Sequence, residues 1–320
     1  MTADSSAAST STPPGARTRR SPLRLALAIG LALVLLTLGA GIYFYLEPAR
    51  IGIVLSRSGL ERGGLAQETV DTSVGEQTYF AGGQGDPTLV FLHGVGTQAG
   101  SWVGVAGDLA RDHRVVAVDL AGHGDSAPRE GTLDLPLTVD ALDAVLEAAS
   151  PRTPVVLVGN SFGGWVSLTY ALQRPERVAR LVLVSSAGVS GPVRTDLTLT
   201  PSTREEMTAL LTAVGFDEVP AGFVLDDLVE EIAAGPTPRL MQTLGADDLL
   251  DGRLGALPMP IDLVWGQDDR LTSLAVAERL LDELPDGARL TVLEDCGHIP
   301  QQQCPQRFVA TVRELTDGGG

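Results

Sequence analysis

Val158-Gly159-Asn160-Ser161-Phe162-Gly163-Gly164 sets one serine among small residues, directly after the apolar run Val155–Val158. Two readings compete. A loose surface turn uses glycine for flexibility. A tight turn needs residues without side chains on either side of a serine that must stand clear of the backbone. The flanking sequence decides between them. Val155–Val158 reads as a buried strand and Trp165–Gln173 as a helix. Gly159-x-Ser161-x-Gly163 therefore falls at a strand-to-helix turn, the context in which this pentapeptide presents a nucleophile. The helix that follows aims its first amides at the same place, which favours an oxyanion there.

Further apolar runs recur at wide spacing: Leu89–Leu92, Val115–Leu120, Leu181–Val184, Ile261–Trp265 and Leu290–Leu293. They are nearly continuous in Val, Ile and Leu rather than alternating. That is how strands buried on both faces of a parallel sheet read. Helix-like stretches lie between several of them, at Ala99–Ala110, Thr138–Ala149 and Ser273–Leu284. Strand alternating with helix means an α/β fold with a mostly parallel central sheet flanked by helices. Thr69–Val74 and Gln77–Ala81, split by Gly75-Glu76, read as a leading β-hairpin. Ile51–Leu65 reads as a short helix or linker. Residues 190–256 break the rhythm. They hold three helix-like pieces, Arg204–Val214, Leu225–Ala234 and Arg239–Leu250, cut by prolines and glycines. A plain connection is shorter, so this segment is expected to be a helical cap over one edge of the sheet.

A serine hydroxyl is a weak nucleophile at neutral pH and needs a base held by an acid. The chain has four histidines, His93, His113, His123 and His298. His298 lies just past the last strand, where a loop can reach over the sheet's C-terminal edge. Asp268 and Asp269 lie just past Ile261–Trp265. The order serine, aspartate, histidine is the one used on doubly wound sheets of this kind.

Five motifs together carry a resemblance to the α/β-hydrolase superfamily over about residues 67–315. They are Phe91-Leu92-His93-Gly94-Val95-Gly96, Asp119-Leu120-Ala121-Gly122-His123-Gly124-Asp125-Ser126, the serine turn, Val264-Trp265-Gly266-Gln267-Asp268-Asp269-Arg270, and Gly297-His298-Ile299-Pro300. The resemblance implies a catalytic set of Ser161, Asp269 and His298, with Asp269 preferred to Asp268 by its place after Trp265-Gly266. It implies an oxyanion hole from the amides of Val95 and Phe162. His93 is then structural beneath the oxyanion loop, and His123 structural as well; His113 is expected at the surface. No cofactor is implied, and no His/Asp/Glu cluster has metal-ligand spacing.

The net charge of -17 repels phosphate backbones, which argues against nucleic-acid partners. Residues 1–24 are rich in Ser, Thr, Ala and Pro and carry an arginine cluster; they read as a disordered cytoplasmic tail. Leu25–Leu46 is uncharged for 22 residues and ends on Tyr43-Phe44-Tyr45. About 20 apolar residues span a bilayer as a helix. Arginines before the span and aromatics at its far end orient it with the N-terminus in the cytoplasm and the bulk of the chain outside. The alternative is a signal segment cut near Gly39–Gly41, leaving a secreted protein. Residues 47–66 then link the span to a core of 67–189 and 257–317, with the cap at 190–256. Cys296 and Cys304 flank His298; export would permit a bridge, and the sequence leaves the pairing open.

The expected reaction is acyl transfer to water from a carboxylic ester, with a small to medium acyl group or a lipid-like substrate. The layout resembles anchored monoacylglycerol-lipase-like enzymes. The serine turn also resembles hydrolases that cleave carbon–carbon bonds in ring-fission products, although Ile299 stands where those carry an aromatic residue. A bromide-dependent peroxidase-like activity is compatible with the same three residues. A non-catalytic anchored binding module is the reading of a different class. The oligomeric state is not legible.

Overall fold

One eight-stranded sheet forms the centre of the fold. The structure, a computed structural model, describes residues 45–150, 154–191 and 196–317. The expected tail and all but the last two residues of the expected span lie outside these. Among the described residues no helix is long and apolar enough to cross a membrane. The chain divides into two units, Met1–Tyr45 and Leu46–Gly320, and every element below belongs to the second.

Helix α1 (Pro48–Arg62) precedes the hairpin β1 (Leu65–Thr72) and β2 (Gly75–Gly82). The alternating part follows: β3 (Leu89–Leu92), α2 (Val103–Leu109), β4 (Val115–Val118), α3 (Leu135–Ala149), β5 (Val155–Asn160), α4 (Phe162–Gln173) and β6 (Val178–Val184). Three helices, α5 (Arg204–Val214), α6 (Gly222–Ala234) and α7 (Thr237–Thr243), separate β6 from β7 (Ile261–Gly266). The chain closes with α8 (Leu274–Glu283), β8 (Arg289–Leu293), α9 (Pro300–Gln303) and α10 (Pro305–Asp317). The strands lie in the order β1-β2-β4-β3-β5-β6-β7-β8; among the described residues β1–β2 and β2–β4 pair antiparallel and the other neighbours pair parallel.

The inner strands β3 to β7 are buried on both sides along their continuous apolar runs, as such runs require. The edge strands β1 and β8 are partly exposed, so the double burial expected of Leu290–Leu293 does not hold. Leu89, Phe91, Val156 and Val158 face one layer, where Leu60, Trp102, Leu109, Phe308 and Val312 cover them from α1, the turn before α2, α2 and α10. Val90, Leu92, Leu157 and Leu183 face the other, under Leu142, Val145, Val166, Leu168 and Leu280 of α3, α4 and α8. Asp134 starts α3 by accepting the Leu137 N–H at 2.9 Å.

Three local expectations need correction. The hairpin turns at Ser73-Val74, not at Gly75-Glu76, because Thr72 pairs with Gly75 and its hydroxyl accepts the Val74 N–H at 3.2 Å. Residues 239–250 are not one helix. Gly245 is extended, its N–H donates to Asp248 Oδ2 at 2.8 Å, and α7 ends before it. His113 is 2% exposed rather than at the surface. It lies under the turn at Gly83, where an added Cβ would collide with the His113 carbonyl, and its Nε2 is 3.2 Å from Asp317 Oδ1.

Candidate active site

Ser161 joins β5 to α4 with φ 54° and ψ -115°, a left-handed conformation that a non-glycine residue adopts only when its surroundings enforce it. Its N–H donates to Val184 O at 2.9 Å, and its carbonyl accepts from Gly164 at 3.0 Å and Ala187 at 3.1 Å. The glycines on either side are obligatory for close approach. A Cβ on Gly159 would strike the Gly163 carbonyl, and one on Gly163 would strike the Leu92 carbonyl of β3. The Ser161 side chain caps no amide of α4, and its neighbours Asn160 and Phe162 are buried while it keeps partial access to solvent.

The loop after β3 runs alongside. A Cβ on Gly94 would lie 3.3 Å from Ser161 Cβ. His93 is fully buried. Its Nδ1–H donates to Gly94 O at 2.7 Å and its Nε2 accepts the Leu120 N–H at 3.0 Å, so both ring nitrogens hold backbone. His123 packs against it with ring centroids 5.1 Å apart and bonds Ala121 O at 3.0 Å. Burial pushes His93 down to about 4 and His123 down to about 3, the second pushed further by its histidine neighbour. Val95 follows Gly94, and Phe162 opens α4. Neither amide donates to a backbone acceptor among the described residues.

Beyond β7 the two aspartates part company. Asp268 is exposed, while Asp269 is 5% exposed. Asp269 Oδ1 accepts the N–H groups of Leu271 and Thr272, both at 2.9 Å. Its Oδ2 accepts the Thr272 hydroxyl at 2.8 Å and His298 Nδ1 at 2.9 Å. His298 lies after β8 and is 4% exposed. With Nδ1 committed to Asp269, its Nε2 is the nitrogen left to take a proton.

Hydrogen bonds and a disulfide hold the histidine loop, and of these the sequence raised only the cysteine pairing, which it left open. Asn160, next to Ser161, donates from Nδ2 to His298 O at 3.0 Å and accepts from Gln301 Nε2 at 3.1 Å. Gln303 accepts the N–H groups of Gly297 and Ile299 and donates to Gly215 O at 2.9 Å. The His298 N–H donates to Val214 O at 2.8 Å, so the end of α5 grips the loop directly. Cys296 and Cys304 form a disulfide across it. Asn160 and Thr272 carried a signal only by position, one residue before the serine and three after the aspartate. Among the described residues no three His, Cys, Asp or Glu side chains gather as a metal-ligand set.

The sequence profile described as the Alpha/beta hydrolase family matches residues 89–311. The 2-hydroxymuconate semialdehyde hydrolase of Pseudomonas sp. (strain CF600) is 34% identical over 255 residues, covering 73% of this chain and 87% of that one. The pimeloyl-(acyl-carrier protein) methyl ester esterase of Nitrosomonas europaea is 33% identical over 245 residues, 70% of this chain and 93% of that one. A solved structure described as a membrane phospholipase A, a novel bacterial virulence factor, superposes with a TM-score of 0.75 at 26% identity, covering 92% of this chain and 98% of that one.

Proposed function

The chain belongs to the alpha/beta hydrolase family, and from that premise we propose that it is a serine hydrolase that cleaves carboxylic esters, lipid-like esters among them. The observation that carries the reading is the buried Asp269–His298 pair at 2.9 Å, on loops at the same sheet edge as the strained Ser161. His298 Nε2 takes the Ser161 proton as Oγ attacks the ester carbonyl, and Asp269 holds the imidazole by Nδ1–H. The amides of Val95 and Phe162 receive the oxyanion. Collapse of the tetrahedral intermediate breaks the ester C–O bond, and His298 returns the proton to the leaving alcohol. Water then repeats the attack on the acyl-enzyme, with His298 again as base, and releases the acid and free Ser161.

Residues 190–256 act as the cap and line the acyl pocket. Leu25–Leu46 anchors the protein in a membrane, with residues 1–24 cytoplasmic and the hydrolase domain outside; cleavage near Gly39–Gly41 would instead release it. The Cys296–Cys304 bridge supports an oxidising compartment. The likeness to a membrane phospholipase A supports an amphipathic ester as substrate.

The test is hydrolysis of a p-nitrophenyl ester series from acetate to palmitate by the full chain. Activity falls by about 10³-fold or more in both Ser161→Ala and His298→Ala, and the preferred chain length measures the pocket. The similarity to a 2-hydroxymuconate semialdehyde hydrolase supports a second reading, hydrolysis of a carbon–carbon bond. A folded wild type silent on every ester yet active on a ring-fission dienoate would select it. Silence on both would favour the binding module.

A further inference from the structure

Thr272 belongs to none of the motifs, yet its hydroxyl sits among three groups. It is 2.8 Å from Asp269 Oδ2, 3.1 Å from His298 Nδ1 and 3.2 Å from the carbonyl of Ser185. Its backbone is pinned on both sides: the N–H donates to Asp269 Oδ1 at 2.9 Å, and the carbonyl accepts Trp265 Nε1 at 2.6 Å. The backbone is thus fixed beside the pair, and the hydroxyl's own three contacts select its rotamer.

We propose that Thr272 is the positioning residue of the acid–base pair, fixing through its hydroxyl both the rotation of the Asp269 carboxylate and the Nδ1–H tautomer of His298. The inference rests on the serine-hydrolase reading above. A hydroxyl has one proton to give and two lone pairs to offer. Here the two acceptors, Asp269 Oδ2 and Ser185 O, take the proton between them. What remains toward His298 is lone-pair density, which welcomes Nδ1–H and repels a bare Nδ1. An imidazole protonated on Nε2 instead would lose both of its acceptors, and its basic nitrogen would face Asp269 rather than Ser161. On the carboxylate side, Oδ1 is tied by two backbone N–H groups and Oδ2 by the hydroxyl. The plane is set before substrate arrives, which is the condition for a base to act without reorganising.

The experiment compares wild type with Thr272→Val, Thr272→Ala and Thr272→Ser in the full chain. The readouts are kcat and KM on p-nitrophenyl butyrate and the rate of covalent labelling of Ser161 by a fluorophosphonate. Valine and alanine remove the hydroxyl, one keeping the bulk of threonine; serine keeps the hydroxyl alone. A hydrogen bond to a charged partner sets the scale: kcat and the labelling rate drop about tenfold or more in valine and alanine, with KM unchanged. Serine stays within about threefold of wild type. If the valine variant does not fold, alanine against serine decides. Hydroxyl-free variants that keep full rate, or a serine variant that falls as far as alanine, overturn the proposal. A wild type that does not label at all overturns the serine-hydrolase reading itself, which separates the two failures.

Discussion

Asp268 and Asp269 are adjacent in the chain and opposite in surroundings. One is exposed; the other accepts two backbone N–H groups, a hydroxyl and an imidazole N–H. Replacing an acid in this position by its amide keeps the shape and turns one hydrogen-bond acceptor into a donor, which disfavours the Nδ1–H tautomer. Asp269→Asn is expected to lower kcat on an ester by about 10³-fold to 10⁴-fold, while Asp268→Asn stays within about twofold; steady-state kinetics on both variants checks this. The strained Ser161 turn and the Asp269–His298 pair were legible because their motifs fall just past strand ends and only four histidines were there to choose from. Asn160, Thr272, Gln301 and Gln303 were not. Each is a common polar residue whose task depends on where its side chain points, and a single sequence does not record direction.

At the scale of elements, the strands were legible because burial on both faces leaves an unbroken apolar run. Their ends were legible in part: β6 stops at Val184 as its apolar run does, whereas β5 runs two residues past its apolar run to Asn160, which reaches into the site. The joint between β5 and α4 depends on backbone contact. Gly163 lies against the Leu92 and His93 carbonyls, which cannot rotate away as a side chain could. Gly163→Ala must lift α4 from β3 and is expected to lose about 3 kcal/mol of stability, read as a lower urea midpoint together with lost activity. An unchanged midpoint would show that the helix moves freely. In residues 190–256 the first two helices were legible, α5 at its observed bounds and α6 all but its first turn, while the third was not, because Gly245 breaks the stretch 239–250.

For the whole molecule, the buried histidine pair sets a pH dependence of stability. His93 and His123 are held near 4 and near 3 in the fold, against about 6.5 in an unfolded chain. Below about pH 6.5 the unfolded state binds protons that the folded state refuses, so stability falls as pH falls. His93 stops contributing near pH 4 and His123 near pH 3. The loss approaches about 3 kcal/mol for His93 alone, and above pH 7 neither contributes. Urea midpoints at pH 7.5, 5.5 and 4.5 are expected to decline, with a shallower decline in His123→Asn; a midpoint that rises toward acid contradicts it. The net charge of -17 spoke only against phosphate-bearing partners, and the arginine-led apolar run, read as a membrane span, lies outside the described residues but for its last two.

The measurement that bears on the chemistry most directly is to react the full chain with a fluorophosphonate and locate the adduct by tandem mass spectrometry. The account predicts one adduct, on Ser161, absent in Ser161→Ala and formed far more slowly in His298→Ala. A folded protein that takes up no label, or takes it up at another residue, would contradict it.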